Sequence, residues 1–344
     1  MADLTGKELP EQLAFADFDR LFSLYPISEL RGRRLFITGG TGFFGFWLLM
    51  AISYLNSTGA NITVTALSRN AQRFLERHPF FKQCQWLSFC HGNIIDYSPP
   101  SGHFDLFIHA ATDTSPSAIE SSLQLFNSMV SGTQHLLAHA RSSNAKRVLL
   151  ISSGAVYGEQ PQQVDKIPED ASYAGSSIDV NNVYSEGKRA MEMLCACYAH
   201  AHNIEIVTAR CFSFIGYGLP SHLAIGQLIN DALYADVITI KGDGLPVRSY
   251  LYAADLAVWL LAILTKGENM SAYNVGSDVG MTIADYALLV KAILAPEKII
   301  KIEGNVQKAS QARTVYVPDI GKAVKGLGLK VWTPLSHSIE GHRI

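Results

Sequence analysis

Apolar and polar positions follow two rhythms along the chain. Short runs that are largely apolar (Leu35–Thr38, Ile62–Leu67, Trp86–Cys90, Leu106–His109 and Arg147–Ser152) predict strands covered on both faces. Between and after them lie stretches of helical spacing: about Phe44 to Asn56, about Ser121 to Arg141, and about 184–201. Repeated strand–helix units predict an α/β fold with a doubly wound parallel sheet and ligand at the carboxyl ends of the strands. After about Gly216 the rhythm breaks into Gly/Pro loops (GYGLP, KGDGLP) and two helical patches, Ala224–Ala235 and Asp255–Leu264. The division expected is a leader over 1–30, a larger domain over 31–215, and mainly a smaller lobe over 216–344 that closes over the site.

Composition narrows the class. With 344 residues, 48% of them hydrophobic, the chain can bury a sizeable core. A formal net charge of -2, from 28 basic and 30 acidic residues, offers no global attraction to nucleic acid or to an anionic membrane, so neither is expected as a partner. The five cysteines form no CxxC pair, which fits neither a disulfide framework nor a metal site and suits a reducing compartment. The opening MADLTGKELPEQLAF is too charged for a signal peptide, and the apolar stretch Leu251–Leu264 is short and broken by Asp255. A cytoplasmic protein is the expectation.

Candidate chemistry begins at GGTGFFG, where Gly39, Gly42 and Gly45 follow a strand and open a helix, with Thr41, Phe43 and Phe44 between them. Glycine permits the tight turn and close backbone approach, and a helix N-terminus favours a diphosphate; strand, turn and helix in this order suggest a Rossmann dinucleotide site. A purely structural glycine turn gives the same pattern. The second strand ends in TALSRN with no carboxylate to accept from both ribose hydroxyls. Ser68 and Arg69 could instead meet a 2′-phosphate, so NADP is slightly favoured over NAD, although a solvated surface arginine is an equal reading. Asn93, followed by Ile94, sits where an adenine-edge contact is expected after the third strand.

ISSGAVYG ends a buried strand on two hydroxyls, and YSEGK places Tyr184 and Lys188 four residues apart on one helix face. A cation beside a phenol lowers its pKa, which would let Tyr184 exchange a proton near neutrality. With a serine hydroxyl on the same oxygen, these are the parts for moving a proton on an alcohol while hydride passes to a nicotinamide. By itself a YxxxK pair is also an ordinary helix face.

Taken in order, GGTGFFG, HAATDTS, SSGAVYG, YSEGK, RCFSFIG, GDGLPVRSYLYAADLA and YNVGS resemble the extended short-chain dehydrogenase/reductases, specifically the NAD-dependent epimerase/dehydratase family of nucleotide-sugar enzymes. The resemblance runs from about Arg34 to Leu335. It implies a catalytic triad of Ser153, Tyr184 and Lys188, with His109, Ala110 and Ala111 lining the dinucleotide. It also implies Asp113 and Thr114 near the sugar, Ser213 where the family often has an Asn near the substrate diphosphate, and Arg248 on the nucleotide-sugar phosphates. For Arg248 a structural ion pair is the competing reading. A homodimer through two long helices is a further expectation of the resemblance.

Departures from the family bear on the reaction. The 4,6-dehydratases carry Thr-Asp-Glu where this chain has Ser153, Gly154 and Ala155, and uronate decarboxylases carry Glu where Ala155 stands. Neither replacement can move a proton. The chain is more similar to the 4-epimerases, and a 4-ketoreductase needs the same parts. Hydride transfer at C4 of a nucleoside-diphosphate sugar is therefore the leading expectation. A dehydratase or decarboxylase with rearranged acids is one rival, and a non-catalytic dinucleotide-sensing scaffold is another.

Overall fold

The computed structural model describes residues 10–112, 121–304 and 315–343. Its central layer is a seven-stranded parallel sheet. β1 (Arg34–Thr38), β2 (Thr63–Ser68), β3 (Leu87–His91), β4 (Leu106–His109), β5 (Arg147–Ser153) and β6 (Glu205–Cys211) supply six strands. In space the order is β3-β2-β1-β4-β5-β6, completed by a seventh strand beside β6. The direction of winding reverses between β1 and β4, and such a switch point opens a crevice at the carboxyl ends.

Helices cover both faces. α1 (Pro10–Leu24), α2 (Phe43–Ser57) and α3 (Ala71–Arg77) precede α4 (Ser122–Ser142) and α5 (Val183–His202). α2 extends one residue beyond each expected end and is apolar nearly all round, with Gly45 through Ser53 buried. It can be so because it is enclosed on all sides. The sheet covers one face, while α1 covers another through Phe18 against Trp47 and Phe22 stacked on Tyr54 at 5.6 Å. The segment expected as a leader is thus an outer layer of the core.

Beyond β6 the chain divides its residues between two places. β7 (Ser213–Ile215), α6 (Ala224–Tyr234), β8 (Val237–Ile240), β9 (Val247–Arg248) and β10 (Tyr250–Tyr252) leave the main sheet. α7 (Ala253–Lys266) and β11 (Ala272–Val275) then return, and β11 is the seventh strand, parallel to β6. β12 (Met281–Thr282), α8 (Ile283–Leu294), β13 (Ile299–Ile302), β14 (Val315–Tyr316), α9 (Gly321–Leu327) and α10 (Leu335–Glu340) follow. A separate apolar cluster that includes Ile225, Leu228, Ile240, Tyr286, Val290 and Ile339 packs these later elements together. No helix among the described residues is long and apolar enough to cross a membrane.

Candidate active site

The glycine turn lies at the switch point. Gly39 has φ +70, and a Cβ there would sit 2.7 Å from the Ala110 carbonyl carbon, so glycine is required by both conformation and space. Gly45 is as constrained: its Cβ would fall 2.2 Å from the backbone of Gly40, and Gly40 itself presses on Ala66. Gly42 differs. A Cβ there would meet only the Gly39 carbonyl oxygen, at 3.4 Å, and the residue is exposed. It is the N-cap of α2 and offers no side-chain cap, and the first turn holds no acid. A helix N-terminus without a side-chain cap or an acid in its first turn suits a diphosphate, and the residues present fit a dinucleotide.

Neighbouring side chains frame that space. Phe43 stacks on Phe214 at 4.8 Å and Phe44 meets the same ring edge-on, which ties the turn to β7. Thr41 and Ser68 share a hydroxyl hydrogen bond of 3.2 Å, and Ser68 also accepts from the Asn70 amide. Asn70 in turn caps α3 by accepting from the Arg73 amide, leaving Arg69 exposed between them. Asn93 is exposed just past β3, whereas Ile94 packs against Gly132 on α4.

His109 departs from the expectation that it lines a ligand. The Ala111 amide donates to Thr38 Oγ1, Thr38 donates to His109 Nδ1, His109 Nε2 donates to Thr133 Oγ1, and Thr133 donates to the Met129 carbonyl. Each donor has one acceptor, which fixes the neutral Nε2–H tautomer. Burial, with the Lys188 charge adding to it, pulls the imidazole down to about 3. The ring fastens β1 and β4 to α4, while half-buried Ala110 and Ala111 border the crevice. Asp113 and Thr114 lie outside the described residues.

Ser153, Tyr184 and Lys188 do converge. Ser153 ends β5 and accepts from the Ala155 amide at 3.1 Å, and its hydroxyl neighbours Tyr184 in the first turn of α5. One turn on, Lys188 is buried; its Nζ donates to Thr112 Oγ1 and to the Ile151 carbonyl, both at 2.9 Å, and lies 5.9 Å from the Tyr184 ring centroid. Burial lowers Lys188 to about 8, against the raising influence of Cys211 and Glu192. The expected lowering of Tyr184 is not met. Burial, the largest influence, raises the phenol, opposed only by the neighbouring Ser153 hydroxyl, while Cys211 adds to the rise. The ammonium is directed at Thr112 and Ile151 rather than at the phenol oxygen.

On the lobe side, Ser213 on β7 is half-buried beside β10, and Arg248 reaches in from β9. Arg248 donates to the Val247 carbonyl and stands 5.9 Å over the Tyr316 ring. Among the described residues no carboxylate pairs with it, and burial makes it a partly desolvated cation of a kind suited to phosphate. Sequence reasoning missed Gly40, Thr112 and Tyr316. Gly40 sits in the quoted glycine cluster and Thr112 in HAATDTS, so both carried a signal; Tyr316 carried none. Taken together, the grouping can hold an alcohol oxygen between a phenol and a serine hydroxyl, next to a dinucleotide turn.

Comparison with known proteins agrees. Residues 35–276 match the model of a family described as NAD dependent epimerase/dehydratase. UDP-glucuronic acid decarboxylase 6 of Arabidopsis thaliana is 29% identical over 317 residues, spanning 90% of this chain and 86% of the relative. Among solved structures, UDP-N-acetylglucosamine 4-epimerase from Methanobrevibacter ruminantium M1 superposes with a TM-score of 0.77 at 19% identity, covering 91% of this chain and 97% of the other. UDP-glucuronic acid 4-epimerase from Bacillus cereus, in complex with NAD, gives 0.74 at 21%, covering 90% and 94%.

Proposed function

The chain belongs to the NAD dependent epimerase/dehydratase family, and from that membership we propose that it acts on a nucleoside-diphosphate sugar by hydride transfer at C4, as a 4-epimerase or 4-ketoreductase. The observation that carries this reading is the meeting of Tyr184, Ser153 and Lys188 beside the glycine turn, with Gly154 and Ala155 adding no acid. A nicotinamide dinucleotide supplies the hydride acceptor and donor when bound. Tyr184 takes the C4 hydroxyl proton and returns it, and Ser153 hydrogen-bonds the same oxygen. The Lys188 ammonium adds a positive potential that favours the phenolate. Arg248 meets the substrate diphosphate. Arg69, exposed where β2 ends without a carboxylate, favours a 2′-phosphorylated cofactor. A homodimer across α4 and α5 would cover Leu123 and Met193, which are both exposed.

The similarity to UDP-glucuronic acid decarboxylases supports a second reading. Oxidation of a uronate at C4 leaves its carboxylate β to a ketone. Carbon dioxide can then depart with the bonding pair passing into the enolate, a step that needs no acid at 154 or 155.

Incubation with UDP-glucose, UDP-N-acetylglucosamine and UDP-glucuronate, each with NAD or NADP, separates these readings by mass spectrometry. A product of unchanged mass and altered retention, or a reduced 4-keto sugar, is expected. Loss of carbon dioxide or water would replace the first reading. Tyr184→Phe should lower turnover about a hundredfold or more while dinucleotide binding persists.

A further inference from the structure

Lys188 is a buried cation whose direct partners are uncharged. Among the described residues no acid forms an ion pair with it. Glu192, one turn further along α5, is turned instead to Arg210 at 2.8 Å and to the Ser152 hydroxyl at 2.5 Å. The ammonium rests on two neutral oxygens, Thr112 Oγ1 and the Ile151 carbonyl, each at 2.9 Å. Thr112 follows β4 and Ile151 lies on β5, its neighbour in the sheet, so the nitrogen bridges the carboxyl ends of two strands. Building on the reading of Lys188 as a catalytic group, we propose that Thr112 is a positioning residue: it fixes the Lys188 ammonium, favours its charged form and leaves its third N–H for the dinucleotide.

An ammonium has three N–H donors and no acceptor. Two of them are taken, which leaves one. Thr112 meets the ammonium as an acceptor, because its own proton goes to the Ala111 carbonyl at 2.9 Å. The Ala111 amide donates to Thr38, the first link of the chain that locks His109, so the threonine stands on a fixed backbone. A hydrogen bond to the charged form of a group favours that form, the more so where water is excluded. Burial, opposed by Cys211 and Glu192, sets Lys188 at about 8, so an acceptor lost here acts on a group that already titrates near neutrality. The other groups facing the ammonium are neutral His109 from β4, Cys211 from β6, held as a thiol by burial, and Tyr184 and Glu192 from α5. A substitution at 112 leaves all of these in the chain.

Thr112→Val keeps the shape and removes the acceptor, whereas Thr112→Ser keeps the acceptor. The first readout is the dissociation constant of the full chain for NADH and NADPH, by fluorescence from pH 6 to 10. In the parent, affinity should fall above about pH 8 as Lys188 loses its proton. In Thr112→Val the fall should begin about one pH unit lower, with affinity near the parent's at pH 6 and about tenfold weaker at pH 9; Thr112→Ser should follow the parent. The second readout needs no ligand. A lysine held at about 8 in the fold, below the ordinary 10.5, weakens the fold as pH drops between those values. In Thr112→Val that window extends about one unit further down, so its urea midpoint should lag the parent's at about pH 6.5 and the gap should narrow by about pH 9. A gap equal at every pH, or a fall in affinity that starts where the parent's does, overturns the role of Thr112. If Lys188→Met binds dinucleotide like the parent, or the parent binds none, the reading of Lys188 fails instead, and the urea comparison still decides on Thr112.

Discussion

His109 is neutral because its ring is enclosed and both nitrogens are matched, and that carries a consequence for stability. Its folded pKa of about 3 lies below the ordinary 6.5, so under pH 6.5 the unfolded chain binds a proton that the fold refuses. Stability is full above that point and falls as pH drops towards 3, by up to about 1.4 kcal/mol per unit for this group. His139, lowered to about 4 by burial, has the same sign. Urea midpoints measured between pH 7 and 5 should decline less steeply in His109→Gln than in the parent; equal slopes would remove His109 from that role. Tyr184 shows the same dominance of burial over a neighbouring charge. Helical spacing in YSEGK correctly implied that Tyr184 and Lys188 share a face, but spacing carries no information on how much solvent the fold removes.

Among elements, β6 and β11 were not singled out, whereas β1 to β5 were legible as short apolar runs and α2 because it opens on a glycine turn. The turn's inner geometry was less so. Gly45 is fixed by the backbone of Gly40, which has no flexible side chain to move aside. Gly45→Ala should therefore cost about 3 kcal/mol or more and lower the melting temperature, whereas Gly42→Ala should leave stability nearly unchanged and weaken dinucleotide binding. Tyr316 and Thr112 escaped the reading for a different reason. Each meets its partner only because distant segments are brought together, Tyr316 at Gly154 and Thr112 at Lys188.

At the level of the whole molecule, one buried carboxylate joins the first helix to the last. Asp17 on α1 accepts from the Tyr252 hydroxyl at 2.7 Å and pairs with His337 on α10 at 2.9 Å and with Arg20. Arg20 donates to Thr333, and Thr333 donates to Asp255 on α7. The sequence set residues 1–30 apart as a leader, but did not reveal that a charge among them would be buried. Asp17→Ala strands the buried Tyr252 hydroxyl, while Arg20 keeps Thr333 and solvent, at a cost of about 2 kcal/mol, read as a lower urea midpoint. Asp19→Ala, which removes only the exposed bond to Tyr54, is the control and should change little.

The late return of β11 also sets a timetable for synthesis. β6 is complete at Cys211, but its neighbour does not exist until Ala272–Val275 has been made. At a ribosomal pace of about 5–20 residues per second, the outer rim of the nascent sheet stays open for several seconds. Throughout that interval its unpaired amides and carbonyls can template pairing with another growing chain.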